Sequence, residues 1–278
     1  MMVLALPLLF TPIPITTTST LNIHFIDVGY GDAILLRLPE DGAILIDGGK
    51  PESAPRVIAE LEKHGIQSLT ALIITHFHDD HAGGLLPILK RYLRREADVF
   101  LPFTSSEIDT KQARYEIGVL ADALQAYVVK TLRRGTVLNP SPSVRIEVFH
   151  PDAVLTGDQN EDSLVIKITH GEVSLLLAAD AGPDTQQKLV EIYGNQLHSD
   201  LIKIPHHANE TEVFQPFIET VHPRIAVLTI GPNPYGAPNP EVLEAYKEAG
   251  VRLYRSDQHG SIHVTSDGQI LNIATERP

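Results

Sequence analysis

The chain of 278 residues has no cysteine, no tryptophan and 2 methionines. Without cysteine there can be no disulfide, no thiolate-held zinc, no iron–sulfur cluster and no cysteine nucleophile. Any bound metal must be held by histidine and carboxylate. Basic residues are also few. Lys+Arg number 22 against 35 Asp+Glu, a net charge of −13, which argues against non-specific nucleic-acid binding by the surface at large. A membrane span is lacking too. The apolar opening, Met1–Phe10, is interrupted by Pro7 and falls well short of the roughly 20 apolar residues that a bilayer crossing needs. Residues 1–20 read either as an N-terminal arm or as the apolar region of a secretory signal. No Lys or Arg precedes Arg37 and no small-x-small cleavage site follows, and both weaken the signal reading. What is plentiful is histidine, 13 residues in all, in a chain whose hydrophobic (43%) and charged (21%) fractions are those of an ordinary globular protein.

From Leu21 onward, short apolar runs alternate with amphipathic segments. Strands are expected at Leu21–Val28, Ala33–Leu38, Ala43–Ile46, Leu72–Thr75, Val144–Phe149, Ser163–Thr169, Val173–Ala178, Leu201–Ile204, Ile225–Ile230, Leu253–Arg255 and Ser261–Val264. Helices are expected at Ala54–His64, Leu85–Leu93, Ile117–Thr131, Thr185–Tyr193 and Pro240–Ala249. In Ile117–Thr131, Ile117, Leu120, Leu124 and Val128 recur at helical spacing. Asn239 and Pro240 suit the cap and first turn of the last helix. The pattern also repeats. Gly31–Leu38 leads through a turn to Ile44–Asp47, and Glu161–Ile168 leads through a turn to Leu175–Asp180. Each half then passes through a helix to an apolar strand that ends in histidine. A duplicated unit is expected, with halves at about residues 21–135 and 136–278 of one domain spanning 21–278.

The segment that carries chemistry is Leu72-Ile73-Ile74-Thr75-His76-Phe77-His78-Asp79-Asp80-His81. An apolar strand leaves the core and stops at four candidate ligands. His76 and His78 are two apart, so on extended backbone they point the same way. Asp80 and His81 follow as the chain turns toward the next helix, and Gly83-Gly84 permits close backbone approach. Imidazole and carboxylate at this density suit Zn, Mn or Fe. A second apolar strand ends in the pair His206-His207. Asp180 ends a third, where it can bridge two cations or simply serve the turn before the next helix. Asp47, in Ile46-Asp47-Gly48-Gly49, is placed to orient a ligand or tie the loop.

These residues make the chain resemble the metallo-β-lactamase superfamily. The resemblance is nearer still to the C-terminal hydrolase domain of the DNA-uptake competence protein ComEC and its free-standing relatives. It is carried by Phe25–Ala33, the His76–His81 run, Asp162–Val165, Lys203–His207, Pro234-Tyr235-Gly236 with Pro240-Glu241-Val242, and Ser256–Ile262. It implies an α/β fold, an αββα sandwich of two mixed sheets packed face to face with helices on the outer faces. It implies two divalent metal ions, Zn or Mn, with His76 and His78 on the first and Asp80, His81 and His206 on the second. His207 is the alternative to His206, and Asp180 would bridge the pair. Asp80 would also be catalytic, orienting a metal-bridging hydroxide for hydrolysis without a serine or cysteine nucleophile. The expected activity is that of a phosphodiesterase or nuclease, with single-stranded nucleic acid or a small molecule as substrate. The alternatives are hydrolysis of a small ester, lactone or amide, and a non-catalytic binding module on the same fold.

Two departures from the family pattern stand out. The further histidine that most members carry before the bridging aspartate is absent from Gln159-Asn160-Glu161-Asp162. The third ligand of the first metal is therefore open among Asn160, Asp162, His150 and water, and oxygen ligands would favour Mn over Zn. Ala237 stands where related sequences commonly carry histidine, and His259 is a candidate to compensate. Asp27 and Asp32 could edge the site or merely stabilise a turn. Lys203 could meet a substrate anion or a ligand carboxylate. Asn233 and Tyr235 lie in a Gly/Pro-rich rim loop. The clusters Arg91, Arg94, Arg95 and Arg133, Arg134 read as solvated faces unless the metal site opens beside them. His24, His64, His170, His198, His222 and His263 show no partner pattern and receive no role.

Overall fold

A computed structural model describes residues 20–103, 111–209 and 213–278. The strands of the first half are β1 (Leu21–Phe25), β2 (Ile34–Arg37), β3 (Ala43–Ile46), β4 (Leu69–Ile73), β5 (Leu93–Leu101) and β6 (Val128–Thr131). Those of the second are β7 (Val137–Ser141), β8 (Val144–His150), β9 (Val165–His170), β10 (Val173–Leu177), β11 (Leu201–Lys203), β12 (Ile225–Leu228) and β13 (Arg252–Arg255). Two further strands, β14 (Ile262–Ser266) and β15 (Leu271–Thr275), close the chain. The helices are α1 (Ala54–Lys63), α2 (Asp79–Ala82), α3 (Leu85–Tyr92), α4 (Lys111–Leu124), α5 (Pro183–Tyr193), α6 (Gln215–Val221), α7 (Pro240–Glu248) and α8 (Ser256–His259).

The near-continuous apolar strands are explained by burial on both faces. In β1 to β3, Leu21, Ile23, Phe25, Ile34, Leu36, Ile44 and Ile46 point into the core between the sheets. The alternate residues Leu35, Ala43 and Leu45 point the other way, onto Val57 and Leu61 of α1 and Leu85, Ile88 and Leu89 of α3. The second sheet repeats the scheme. Leu175 and Leu177 face the first sheet, while Leu176 and Ala178 face Leu189 of α5 and Phe217 of α6. Two sheets with helices on both outer faces follow, the αββα sandwich of two mixed sheets.

The sheet orders are β15-β14-β1-β2-β3-β4-β5-β6 and β13-β12-β11-β10-β9-β8-β7. In each, an antiparallel hairpin gives way to parallel strands, at β3–β4 and at β10–β11. Parallel neighbours end at the same edge, so the segments following β3, β4, β10 and β11 emerge together. These are the segments bearing Asp47, His76–His81, Asp180 and His206-His207. The last two strands, β14 and β15, return to the first sheet beside β1.

The single helix expected over Ile117–Thr131 is not what forms. Helix α4 ends at Leu124, and Val128–Thr131 pairs in parallel with Asp98–Leu101 of β5. Leu120 and Leu124 keep the buried helical face, but β-branched Val128 and Val129 satisfy the open edge of β5 instead. Strands β5, β7 and β15 and helix α6 were not legible from periodicity. The apolar opening of the chain, residues 1–19, lies outside the described residues. Among the described residues no helix is long and apolar enough to cross a membrane.

The end of the chain is tied down by Glu276. It accepts from the Ser261 backbone N–H at 2.9 Å and pairs with Arg56 of α1. Hydrogen bonding from Arg56, then from Ser261, holds its pKa down at about 2 against an ordinary 4.5. A lowered carboxylate pKa contributes stability that is present above the unfolded value and lost as pH falls through the folded one. Glu276→Gln is therefore expected to cost up to about 1 kcal/mol at neutral pH. The difference from the parent should vanish between pH 4.5 and about 2, as read by urea midpoints across that window. A difference that persisted at the lowest pH would show that the charge is not its source.

Candidate metal centre

The edge where the parallel strands end is built from strained backbone. Asp47, Ala179, His206, His207 and Ala208 are all non-glycine residues at positive φ, between 42° and 58°. Each such residue costs on the order of 1–3 kcal/mol, and such strain gathers at functional sites. Glycine takes over where no side chain fits. A Cβ at Gly31 would come 2.2 Å from the Asp80 carbonyl, and one at Gly84 would come 2.2 Å from that of Gly48. The loop carrying Asp32 thus packs directly on the His76–His81 turn, with the Asp32 N–H donating to the Asp80 carbonyl at 3.0 Å.

Asp180 lies at the centre, fully buried. Its Oδ1 is 3.2 Å from His81 Nε2, 3.5 Å from His207 Nε2 and 3.6 Å from Lys203 Nζ. Its Oδ2 is 3.7 Å from His76 Nε2 and 3.9 Å from His206 Nε2. Burial by itself would raise the Asp180 pKa, but His81, His207 and Lys203 together hold it well below the usual carboxylate range. His81 is pushed down by burial, yet Asp180 and Asp47 outweigh that and raise it well above the ordinary value. His76, buried beside His81, is driven well down, by burial first. Burial, then the Lys203 charge, lowers His207 to about 4.

The outer nitrogens of the rings are fixed by a further layer of bonds. His81 Nδ1–H donates to Asp47 Oδ2 at 2.8 Å, and Asp47 is gripped by the Thr75 N–H (2.8 Å) and hydroxyl (2.6 Å). His207 Nδ1–H donates to the Thr229 carbonyl at 2.8 Å. Both rings therefore turn Nε2 inward, and the two Nε2 atoms lie 3.3 Å apart. A bonded outer nitrogen that sets the tautomer is the arrangement of a metal-ligating histidine.

Asp32, His81, Asp180 and His207 each offer one ligand atom within 4.8 Å of the others, all buried. His76 Nε2 is buried with no hydrogen-bond partner among the described residues. An orphaned imidazole nitrogen beside converging carboxylates fits a divalent cation, and the nitrogen and oxygen donors suit Zn, Mn or Fe.

The candidate ligands take separate places, and none of Arg91, Arg94, Arg95, Arg133 and Arg134 lines the cleft beside them. His78 and Asp80 line an open cleft of about 580 Å³ with Asn160, Asp180 and His206 on its floor and Tyr30, Lys50, Glu52, Asp79, Asn209 and Tyr235 around them. His207 rather than His206 faces His81 and Asp80, with Asp80 Oδ2 at 3.7 Å. His206 stands in the cleft at 20% side-chain exposure, 3.3 Å from Asn160 Nδ2. The reversal follows from the left-handed turn at His206 and His207, which sends consecutive side chains to different sides. Of the three candidate residues for the open ligand position, Asn160 reaches the cleft. Asp162 instead accepts from the Thr156 and Gly157 N–H groups, and His150 donates to the Glu161 carbonyl at 2.6 Å.

The residues considered for substrate contact divide similarly. Asp32 and Lys203, 2% and 0% exposed, pair with each other at 2.7 Å beneath the centre, where no substrate reaches. Asp27 caps the Gly29 N–H and pairs with Arg277. Asn233 staples its own loop through Gly231, Tyr235 and Ala237. His259 turns back to the Arg255 carbonyl at 2.9 Å. Tyr235 alone of this group lines the cleft, 62% exposed and 5.1 Å from the Tyr30 ring. Thr75, Thr229, Tyr30 and Lys50 were not singled out as site residues. Thr75 beside His76 and Tyr30 between two glycines were the available signals.

The sequence model of the metallo-beta-lactamase superfamily matches residues 26–97. ComE operon protein 3 of Bacillus subtilis (strain 168) is 28% identical over 261 residues, which cover 87% of this chain and 32% of that protein. Competence protein ComA of Neisseria gonorrhoeae is 24% identical over 237 residues, covering 85% of this chain and 31% of that one. The chain thus spans about a third of the length of these curated relatives. A solved metal-dependent hydrolase of the β-lactamase superfamily has the same fold, with a TM-score of 0.55 at 13% identity over 92% of this chain and 100% of that one.

The buried Lys203 supplies a first test. Burial would lower its pKa, but Asp32 and Asp180 raise it, so the ammonium stays charged. Lys203→Met strands two buried carboxylates and is expected to cost about 3–5 kcal/mol in urea denaturation. Adding Asp32→Asn should recover part of the loss. A single variant as stable as the parent would show that Lys203 is not their counter-charge.

Proposed function

We propose that this chain, which is similar to the metallo-β-lactamase superfamily over residues 26–97, is a metal-dependent hydrolase that cleaves phosphodiesters, single-stranded DNA among them. The observation that carries this reading is that Asp180 of the buried His/Asp cluster reaches the floor of an open cleft lined by His78, Asp80 and His206, with Lys50 and the exposed Tyr235 ring beside them. Lys50 Nζ lies 5.4 Å from the centre of the Tyr30 ring. A cation beside aromatic faces suits a phosphate flanked by bases. The name of one relative, competence protein ComA of Neisseria gonorrhoeae, agrees with it.

The cluster would hold two divalent cations. In this assignment His81, His207 and Asp80 serve one, His76, His78 and the cleft-facing His206 or Asn160 the other, and Asp180 lies between. Divalent cations held by these residues would lower the pKa of water and offset charge that develops on a phosphoryl oxygen. With oxygen donors from Asp80, Asp180 and Asn160, Mn is favoured alongside Zn.

The chain's own groups do the rest. Asp47 holds the His81 ring in place through Nδ1, and Thr229 does the same for His207. Asp80, half-buried on the cleft wall, is placed to accept a proton from attacking water and to orient it. Burial, then the charges of Asp180 and Asp80, raises the Tyr30 pKa, so its hydroxyl stays protonated as a hydrogen-bond donor. Lys50 and the exposed Tyr235 ring engage phosphate and base. Glu52 and Asp79 on the same rim repel a second phosphate, which favours short or terminal stretches of a strand over a long duplex.

The test is a substrate panel with Mn and Zn on metal-depleted protein: single-stranded DNA, a bis-aryl phosphate, a lactone and a β-lactam. Cleavage of the two phosphodiesters is expected, with a loss of at least about a hundredfold in Asp180→Asn at retained fold. Turnover of the lactone alone would replace the reading with that of a small-ester hydrolase. No turnover with no bound metal would leave a binding module. Asp47→Asn keeps a side chain that tolerates positive φ but loses the charge on His81. A drop of about 10–100-fold in metal affinity is expected, measured by competition with a chelator. Unchanged affinity would remove Asp47 from the ligand-orienting role.

A further inference from the structure

On the helix-covered face of the first sheet, away from the cleft, three histidines meet. His24 of β1 and His263 of β14 are direct register partners in the antiparallel pair. Their neighbours Ile23, Phe25, Ile262 and Val264 point into the core between the sheets, so the two histidines project to the opposite face. There they meet His64, the residue that ends α1. Ring centroids are 3.9 Å apart for His24–His64, 4.7 Å for His24–His263 and 5.5 Å for His64–His263. His24 Nδ1 faces His263 Nδ1 directly. One nitrogen from each ring lies within 4.8 Å of the other two.

Several features separate this trio from a chance stack. His24 is 5% exposed, and its Nε2 is buried with no hydrogen-bond partner among the described residues. A buried polar atom left unpaired is costly. A carboxylate borders the group, since buried Glu60 places Oε2 3.3 Å from His64 Nε2. Burial lowers the pKa of all three rings, His24 to about 3, so all are neutral imidazoles with lone pairs to give. There is also a way in: His64 borders a surface cleft with Arg37, Gly65 and Ile66.

We propose that His24, His64 and His263 form a second, non-catalytic metal site for a divalent transition-metal cation that prefers imidazole, Zn above all, with Glu60 as the fourth donor. Three imidazoles and a carboxylate without thiolate form a tetrahedral set that suits Zn. The site ties the end of α1 to a strand at each end of the domain, His24 and His263 being 239 residues apart. A link across so long a loop stabilises the folded state, because an unfolded chain does not hold the three rings together. Lys63, 3.2 Å from Glu60 Oε1, would swing aside as Glu60 engages the cation. The proposal does not depend on what the cleft hydrolyses.

The full chain, stripped with chelator and titrated with Zn alone, is compared with His263→Asn and His64→Gln. His64 stands at a helix end and tolerates change if the His263 variant folds poorly. Elemental analysis should show about one metal equivalent per chain fewer in each variant. The rise in Tm on adding Zn should shrink, and hydrolysis by the Zn- or Mn-loaded cleft should be unchanged. In cobalt-substituted protein, the visible bands of one tetrahedral centre should disappear. Metal content and Zn-induced Tm shift equal to the parent's in both variants would overturn the proposal. So would a loss of metal that always travels with loss of hydrolysis, since the missing cation would then be the cleft's own.

Discussion

The Lys203 ammonium has no solvent to face, and the centre of the molecule is arranged around that fact. Its partners are Asp32 at 2.7 Å, Asp180 at 3.6 Å and the Ala179 carbonyl at 3.0 Å. A buried charge is tolerated only when it is paired and fully hydrogen-bonded. The pairing works in both directions, because the same ammonium lets two carboxylates stay ionised out of water. Against burial, Asp180 in turn raises the His81 pKa, while burial and then the Lys203 charge lower that of His207. Lys203 therefore sustains, from beneath the centre, a dense group of ionised side chains that burial would otherwise neutralise.

The geometry of that group depends on strand ends more than on strands. The segments bearing Asp47, Asp180 and His206-His207 leave their strands through left-handed residues, and the turns are held by backbone bonds between segments distant in sequence. The Gly48 N–H donates to the His81 carbonyl at 2.7 Å, and the His206 N–H to that of Ala179 at 2.9 Å. Strain at Asp47, Ala179, His206 and His207 persists because the packed sheets on either side over-determine these turns. The mixed sheets supply the common edge, and the strained turns aim the side chains.

Much of this was legible beforehand, for identifiable reasons. The core strands were visible because they are buried on both faces, which leaves continuous apolar runs ending at Asp47, Asp180 and the two histidine segments. Strand β5 was hidden because Arg94, Arg95 and Glu96 open it on the exposed side. Strand β6 was absorbed into a helical pattern because Val128 falls in phase with Leu120 and Leu124. For Asp32 the sequence left a site edge or a turn open, and for Lys203 a substrate anion or a carboxylate partner, and only the second reading of Lys203 matches its contacts with Asp32 and Asp180. The mutual burial of Asp32 and Lys203 is a pairing between two sheets, and no local pattern encodes it.

The sequence by itself determined the chemistry available: with no cysteine, any metal ligand must be imidazole or oxygen, and the His76–His81 run collects four candidates within six residues. Continuous apolar runs determined that the strands would be buried on both faces. Only the tertiary structure decided which donors meet. It set His207 against His81 and Asp80 and left His206 to the cleft, because a left-handed turn rotates adjacent side chains apart. It also brought together His24, His64 and His263, three histidines from separate elements. Sequence patterns report neighbours along one strand or helix, whereas these contacts are made by register between β1 and β14 and by the place where α1 happens to end.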